Sequence, residues 1–217
     1  MTRTVLVANL KGGCGKTVVA TTLAAALAGT GARVALADAD RQKSALRWAR
    51  RRPEDAAPVI ALDWSKTAAF GERPKKLDWL VIDAPGALRG DRAQALVAEA
   101  AAVLVPLAPG FYDIDATRRF LKDLDALKRV RKGKAEVHLI ANRLRPRAAR
   151  EAERLEALCA ELGRQPLARL SERAAYGDLA ERGLTVFDRP LKALEPVRAQ
   201  WAPVLALLGA QALPQSA

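Results

Sequence analysis

The residues that most restrict this chain are Asn9-Leu10-Lys11-Gly12-Gly13-Cys14-Gly15-Lys16-Thr17, which lie between an apolar run, Thr4 to Ala8, and an Ala-rich stretch, Val18 to Ala28. The run reads as a short buried strand and the stretch as a helix, so the glycines fall at a strand-to-helix turn. Such a turn converges backbone N–H groups and the positive end of a helix on one point, where phosphate oxygens satisfy both. Lys16 then meets the β- and γ-phosphates as a point charge, and the Thr17 hydroxyl is placed to ligate magnesium. The strict G-x-x-x-x-G-K-[ST] pattern fails, because Leu10 stands where its first glycine belongs. A second lysine, Lys11, stands at the loop entrance instead.

Two further apolar runs end in acids. Val34 to Ala37 lead into Asp38-Ala39-Asp40-Arg41-Gln42-Lys43-Ser44, a D-x-D-x-Q-x-S string. A carboxylate just past a strand can orient water against a γ-phosphate or support a magnesium shell, and nearby cations keep it ionised. The same two aspartates also suit capping of a helix that starts near Ser44. Leu77 to Ile82 lead into Asp83-Ala84-Pro85-Gly86, a strand, an acid and a turn.

Together these strings resemble the deviant Walker A ATPases of the ParA/MinD family, whose loop reads K-G-G-x-G-K-[ST]. The resemblance implies ATP and Mg2+ as cofactors, held by Lys11, Gly12, Gly13, Cys14, Gly15, Lys16 and Thr17. It also implies a nucleotide-sandwich homodimer, in which Lys11 of one subunit contacts the phosphates bound by the other. Asp40 takes the place of the switch I residue that positions the attacking water. Asp83 holds magnesium through a water, with Asp38 as a further member of the metal set, and Pro85-Gly86 form switch II. Where the family often has proline this chain has Arg41, a change that bears on loop stiffness. Asn142 matches the position whose amide reads the adenine edge, although an asparagine of a turn fits as well. The segment Val105 to Asp113 resembles the P-x-x-P-x-x-x-D segment of short partition ATPases, near nucleotide and dimer contact.

The net charge of +12 and pI near 10.3 give a positive field that favours a polyanionic partner. A GC-rich genome yields a similar arginine bias, so charge alone does not decide the matter. Arg169 to Tyr176 resemble the basic stretch before the last helices of ParA proteins, and DNA-contacting residues of the family fall in this C-terminal region. The candidates are Arg169, Arg173, Arg182, Arg189, Lys192 and Arg198, each of which also fits a solvated charge or an ion pair. Arg47 with Arg50 to Arg52, Arg129 to Lys134 and Arg143 to Arg150 compete with them.

The order of elements predicts one doubly wound, mostly parallel α/β sheet flanked by helices, a P-loop NTPase domain over 1–212 with a disordered tail over 213–217. The expected sequence of elements after Asp83 is a strand over 101–107, a helix over 113–130 and a strand over 136–141. A helix over 147–162, a strand over 166–170, a helix over 172–182 and a final helix over 191–208 complete it. The stretch from Pro53 to Pro74 reads as an irregular excursion. Cys14 and Cys159 lack metal-site spacing and fit a reducing cytoplasm; Cys159 reads as a core residue, and a redox role for Cys14 has no further support. His138 reads as a core or sheet-face residue, Trp48 and Trp201 as helix packing, and Trp64 has no reading.

The function that follows is a ParA-like ATPase with weak intrinsic turnover, stimulated by a ParB-like or cargo-adaptor partner. It dimerises on ATP, binds nucleoid DNA non-specifically and positions a plasmid, chromosome or protein cargo. The alternative is a MinD-like membrane-cycling ATPase. That reading needs a basic amphipathic C-terminal helix, whereas Trp201 to Gly209 carry no lysine or arginine and are interrupted by Pro203. No membrane partner, signal peptide or spanning segment is expected. A cluster-bearing reductase needs cysteines after Asp83 and a tyrosine autokinase a C-terminal tyrosine cluster, neither of which the sequence has, whereas a biotin-pathway synthetase fits the loop but gives no reason for the basic excess.

Overall fold

Parallel strands covered on both faces need continuous apolar sequence, and the inner strands of this chain have it. The computed structural model describes residues 1–67, 70–86, 88 and 90–210. Its strands are β1 (Arg3–Val7), β2 (Val34–Asp38), β3 (Val59–Asp63), β4 (Trp79–Asp83), β5 (Ala102–Leu107), β6 (Glu136–Leu144) and β7 (Ala168–Ser171). They form one sheet in the order β3-β2-β4-β1-β5-β6-β7, with every pairing parallel. The doubly wound α/β architecture expected from the sequence is therefore the one the chain adopts. From β1 the chain first builds outward through β2 and β3, returns to β4, and then builds the other side from β5. The crevice at that reversal, beyond the C-terminal ends of β1 and β4, is where such sheets hold ligands.

The helices are α1 (Lys16–Gly29), α2 (Ser44–Arg50), α3 (Gly90–Glu99), α4 (Phe111–Ala126), α5 (Lys128–Arg131), α6 (Ala149–Leu162), α7 (Ala174–Ala180), α8 (Glu195–Ala199) and α9 (Ala202–Leu207). Side chains alternate across the sheet. Val5, Val7, Leu36 and Val81 pack with α1, Trp48, Trp201 and Val204, whereas Leu6, Leu80, Ile82 and Val103 pack with Leu96, Phe120 and Leu124. Each such aliphatic side chain contributes about 1.5–3 kcal/mol when fully buried. Helix α1 is apolar nearly all round, with Val19, Ala20, Leu23, Ala24 and Leu27 inaccessible to solvent, as a helix enclosed by its neighbours must be.

Several expectations need correction. The stretch read as irregular contains β3, which extends the sheet in register from Val34↔Val59 to Asp38↔Asp63. It is a half-exposed strand of five residues beginning next to Pro58, too short to announce itself by alternation. Helix α3 is not among the expected elements, although Ala93, Leu96 and Val97 bury one face at helical spacing. The helix expected over 113–130 stops at Leu127, whose extended backbone (φ −68, ψ 132) separates α4 from α5. The final helix is three pieces, a 3-10 turn at Lys192–Leu194, then α8 and α9, with a proline in the first turn of each helix.

Trp48 and Trp201 are buried as expected and donate to Leu184 O and Tyr176 Oη. Cys159 is buried in α6. Trp64 packs against Phe70 at 4.5 Å between ring centroids and donates to Glu72 O. The tail expected over 213–217, and the last residues of the domain expected over 1–212, lie outside the described residues.

Candidate nucleotide site

The loop between β1 and α1 takes its shape from Gly13 and Gly15, at φ 81 and 93, a region that favours glycine. At Gly15 there is also no room for a side chain, since a Cβ would lie 2.2 Å from Asn142 Nδ2. Strand β6 holds the loop from outside: Asn142 Nδ2 donates to Cys14 O at 2.8 Å and Arg143 Nη1 to Gly13 O at 3.1 Å. Strand β5 and α4 hold its start through Asn9, whose amide donates to Pro106 O and Thr117 Oγ1 at 2.8 Å each and accepts from Lys11 N. With those carbonyls tied outward, the loop amides and the start of α1 are left for an anion. Lys16 is buried and its ammonium donates to Lys11 O at 2.9 Å across the loop. The Lys11 ammonium has no hydrogen bond or ion pair among the described residues.

The acids converge on this loop. Thr17 Oγ1 donates to Asp83 Oδ2 at 2.7 Å, while Asp83 Oδ1 is buried without a partner among the described residues. Burial pushes the Asp83 carboxyl up to about 7, reinforced by the Asp38 and Asp40 charges and opposed by the Thr17 hydrogen bond and Lys16. A buried carboxylate with one orphaned oxygen beside a threonine hydroxyl is a donor set that fits magnesium. Asp38 is fully buried, and burial likewise raises its pKa. Its Oδ1 accepts from Asp40 N and its Oδ2 from Leu46 N, both at 3.0 Å, so it caps α2 from the end of β2. Lys43 at the N-cap position is left-handed (φ 54) and supplies no cap of its own. Asp40 lies further out, accepting from Gln42 N and from Gly86 N of the turn after β4.

Burial raises the Cys14 thiol, which donates to Lys11 O. The structure thus brings Lys11, Gly12, Gly13, Cys14, Gly15, Lys16, Thr17, Asp38, Asp40, Asp83 and Asn142 to one crevice. Asn142 lies within β6 rather than past its end, because the strand runs on to Leu144. Arg143 and Arg92 escape a reading of the sequence as site residues, and Asn9, at the head of the loop string, has no role assigned by it. Arg92 donates to Ala39 O at 2.7 Å and Trp64 O at 3.3 Å, bracing the segment before Asp40. Only the left-handed backbone at Arg143 (φ 57) sets it apart, and sequence does not display that.

The C-terminal cations differ in their partners. Arg169 on β7 pairs with Glu156, Arg189 with Asp55, and Arg198 donates to Val186 O and Arg189 O. Arg173, Arg182 and Lys192 are exposed and have no ion pair among the described residues.

Residues 5–186 match the CobQ/CobB/MinD/ParA nucleotide binding domain family. The chain belongs to this family. A curated relative, the maintenance of carboxysome distribution protein A of Halothiobacillus neapolitanus, is 29% identical over 190 residues, covering 85% of this chain and 87% of its own. Among solved structures, an ATP complex of a variant McdA from Cyanothece has a TM-score of 0.75 at 18% identity, covering 99% of each chain. MinD of Pyrococcus horikoshii complexed with Mg-ADP has a TM-score of 0.67 at 20% identity, covering 96% of this chain and 98% of that one. This is a nucleotide-binding domain of the ParA/MinD type.

Proposed function

We propose that the chain is a ParA-like ATPase that forms an ATP-dependent sandwich dimer, binds DNA without reading sequence and hydrolyses ATP to position a cargo. The observation that carries this is the division of labour between two lysines. Lys16 reaches into its own loop, whereas the Lys11 ammonium at the mouth is unengaged among the described residues of the protomer and free to meet phosphates bound by a second copy. Magnesium, when bound, neutralises charge on the phosphates, and Thr17 Oγ1 and the Asp83 carboxylate are the groups to hold it. Asp40 orients the attacking water, and Lys11, Lys16 and the loop amides stabilise charge that develops on the transferred phosphoryl. Asp38 acts on Asp40 by fixing the turn between β2 and α2. Turnover is slow until a ParB-like or adaptor partner completes the site, and the ATP state occupies the nucleoid. The carboxysome-distribution relative supports a protein assembly as one class of cargo.

A MinD-like membrane cycle is the weaker reading, since Val204 and Leu205 of α9 pack into the core rather than forming a free apolar face. Lys11→Ala is expected to retain ATP binding as a monomer but to lose ATP-dependent dimerisation, in size exclusion with light scattering, and DNA retention. Dimers that persist in this variant would refute the sandwich, and ATP-dependent sedimentation with anionic vesicles but not DNA would favour the membrane cycle.

A further inference from the structure

Two basic segments far apart in sequence share one surface. Arg47 and Arg50 on the exposed face of α2 and Arg51 at its C-cap have no ion pair among the described residues. Among the described residues the Arg47 side chain donates to Ser44 Oγ alone, and that of Arg51 to Arg47 O alone. After α7 the chain turns at Gly183 (φ 67), where a Cβ would lie 2.3 Å from Arg51 C and Arg52 N. That close approach fixes exposed Arg182 beside the end of α2. Between α2, α7 and the start of α1 runs an open groove of about 650 Å³, lined by Thr17, Ser44, Arg47, Arg51, Gly177 and Glu181 among others. Glu181 is the one acid lining it among the described residues.

We propose that Arg47, Arg50, Arg51 and Arg182 form a binding surface for the phosphate backbone of double-stranded DNA. This inference rests on the DNA-binding reading above and gives that reading a surface other than the C-terminal residues taken one by one. Guanidinium groups are charged at any working pH, and their planar forks suit phosphate oxygens. The groove begins at Thr17, next to the nucleotide loop, and α2 is capped by Asp38 from the same turn that carries Asp40. A polyanion on α2 is therefore one rigid element away from the γ-phosphate position. A second cluster without ion pairs among the described residues, Lys128, Arg129, Arg131, Lys132 and Lys134, precedes the N-terminal end of β6 and so lies away from the nucleotide end of the sheet, whereas Arg147, Arg150 and Arg154, also without ion pairs there, follow β6 and do not adjoin α2.

The test compares Arg47→Gln/Arg50→Gln/Arg51→Gln with a control of equal charge, Arg131→Gln/Lys132→Gln/Lys134→Gln. A labelled duplex is titrated by anisotropy with ATP over a range of salt, and ATP-dependent dimerisation is measured alongside. The α2 variant is expected to dimerise on ATP but bind the duplex about tenfold more weakly, with the salt slope flatter by about one for each phosphate no longer neutralised. The control is expected to change affinity by no more than about twofold. Should the α2 variant fold poorly, Arg47→Lys/Arg50→Lys/Arg51→Lys must keep most of the affinity and Arg182→Gln alone must lower it. Equal losses in both glutamine variants, or none in the α2 variant, would overturn the surface while leaving DNA binding itself intact. A wild-type ATP dimer that ignores DNA, or that takes polyglutamate or anionic vesicles in preference, would overturn the underlying reading as well.

Discussion

Asp83 carries the largest electrostatic cost of the site. Its folded pKa of about 7 lies above the ordinary 3.8, so between those values the folded protein holds a proton that the unfolded chain has released. Stability of the metal-free protein should accordingly fall as pH rises through that window and stay low above it. Asp83→Asn removes the burden: its melting temperature at pH 8 should exceed that of the metal-free wild type, by up to roughly 4 kcal/mol in stability, with hydrolysis reduced to background. Equal melting temperatures at pH 8 would contradict the account. Cys14 makes the opposite kind of statement, since burial raises its thiol and leaves it a poor nucleophile. Alkylation of native protein at pH 8, read by peptide mass spectrometry, should modify Cys14 about tenfold more slowly than a free thiol. Rapid modification at pH 7 would mark it as a redox site after all.

The segment from α2 to β3 is joined to the turn after α7 by a buried ion pair. Arg52 and Asp188 have side chains 5% and 4% exposed, at 2.6 Å, and Arg52 also donates to Ala57 O and Gly183 O. Asp188 accepts in addition from Thr185 N and Oγ1. Because every partner is satisfied, removing one half strands a charge in the interior, which costs about 3–5 kcal/mol. Asp188→Ala should therefore lower the thermal midpoint by about 10 °C. A drop of only a degree or two would mean that water reaches Arg52. Neither residue is legible as a pair from sequence, since 136 positions separate them and the arginine sits in a run that reads as solvated charge.

Across the whole molecule, sequence discloses whatever depends on neighbours along the chain. The loop from Lys11 to Thr17, the inner strands and the acids at their ends are local patterns, and the sheet assembles them as expected. Strand β3 escapes because its evidence is a pairing partner, β2, rather than its own five residues. The breaks between the C-terminal helices fall at Pro196 and Pro203, which the sequence displays, so a single helix over 191–208 misreads legible residues. The roles of Arg169, Arg189 and Arg198 are hidden, for an arginine acquires its partner only when the fold closes.

The bond from Lys16 Nζ to Lys11 O bears on how the molecule recycles. Lys16 grips that carbonyl from within its own loop, so the cradle is kept in shape by its own ammonium. An ammonium has three N–H donors, so one can stay on Lys11 O while the others turn to phosphate oxygens. The brace therefore need not be broken for fuel to enter, and an emptied subunit is left with its cradle still formed.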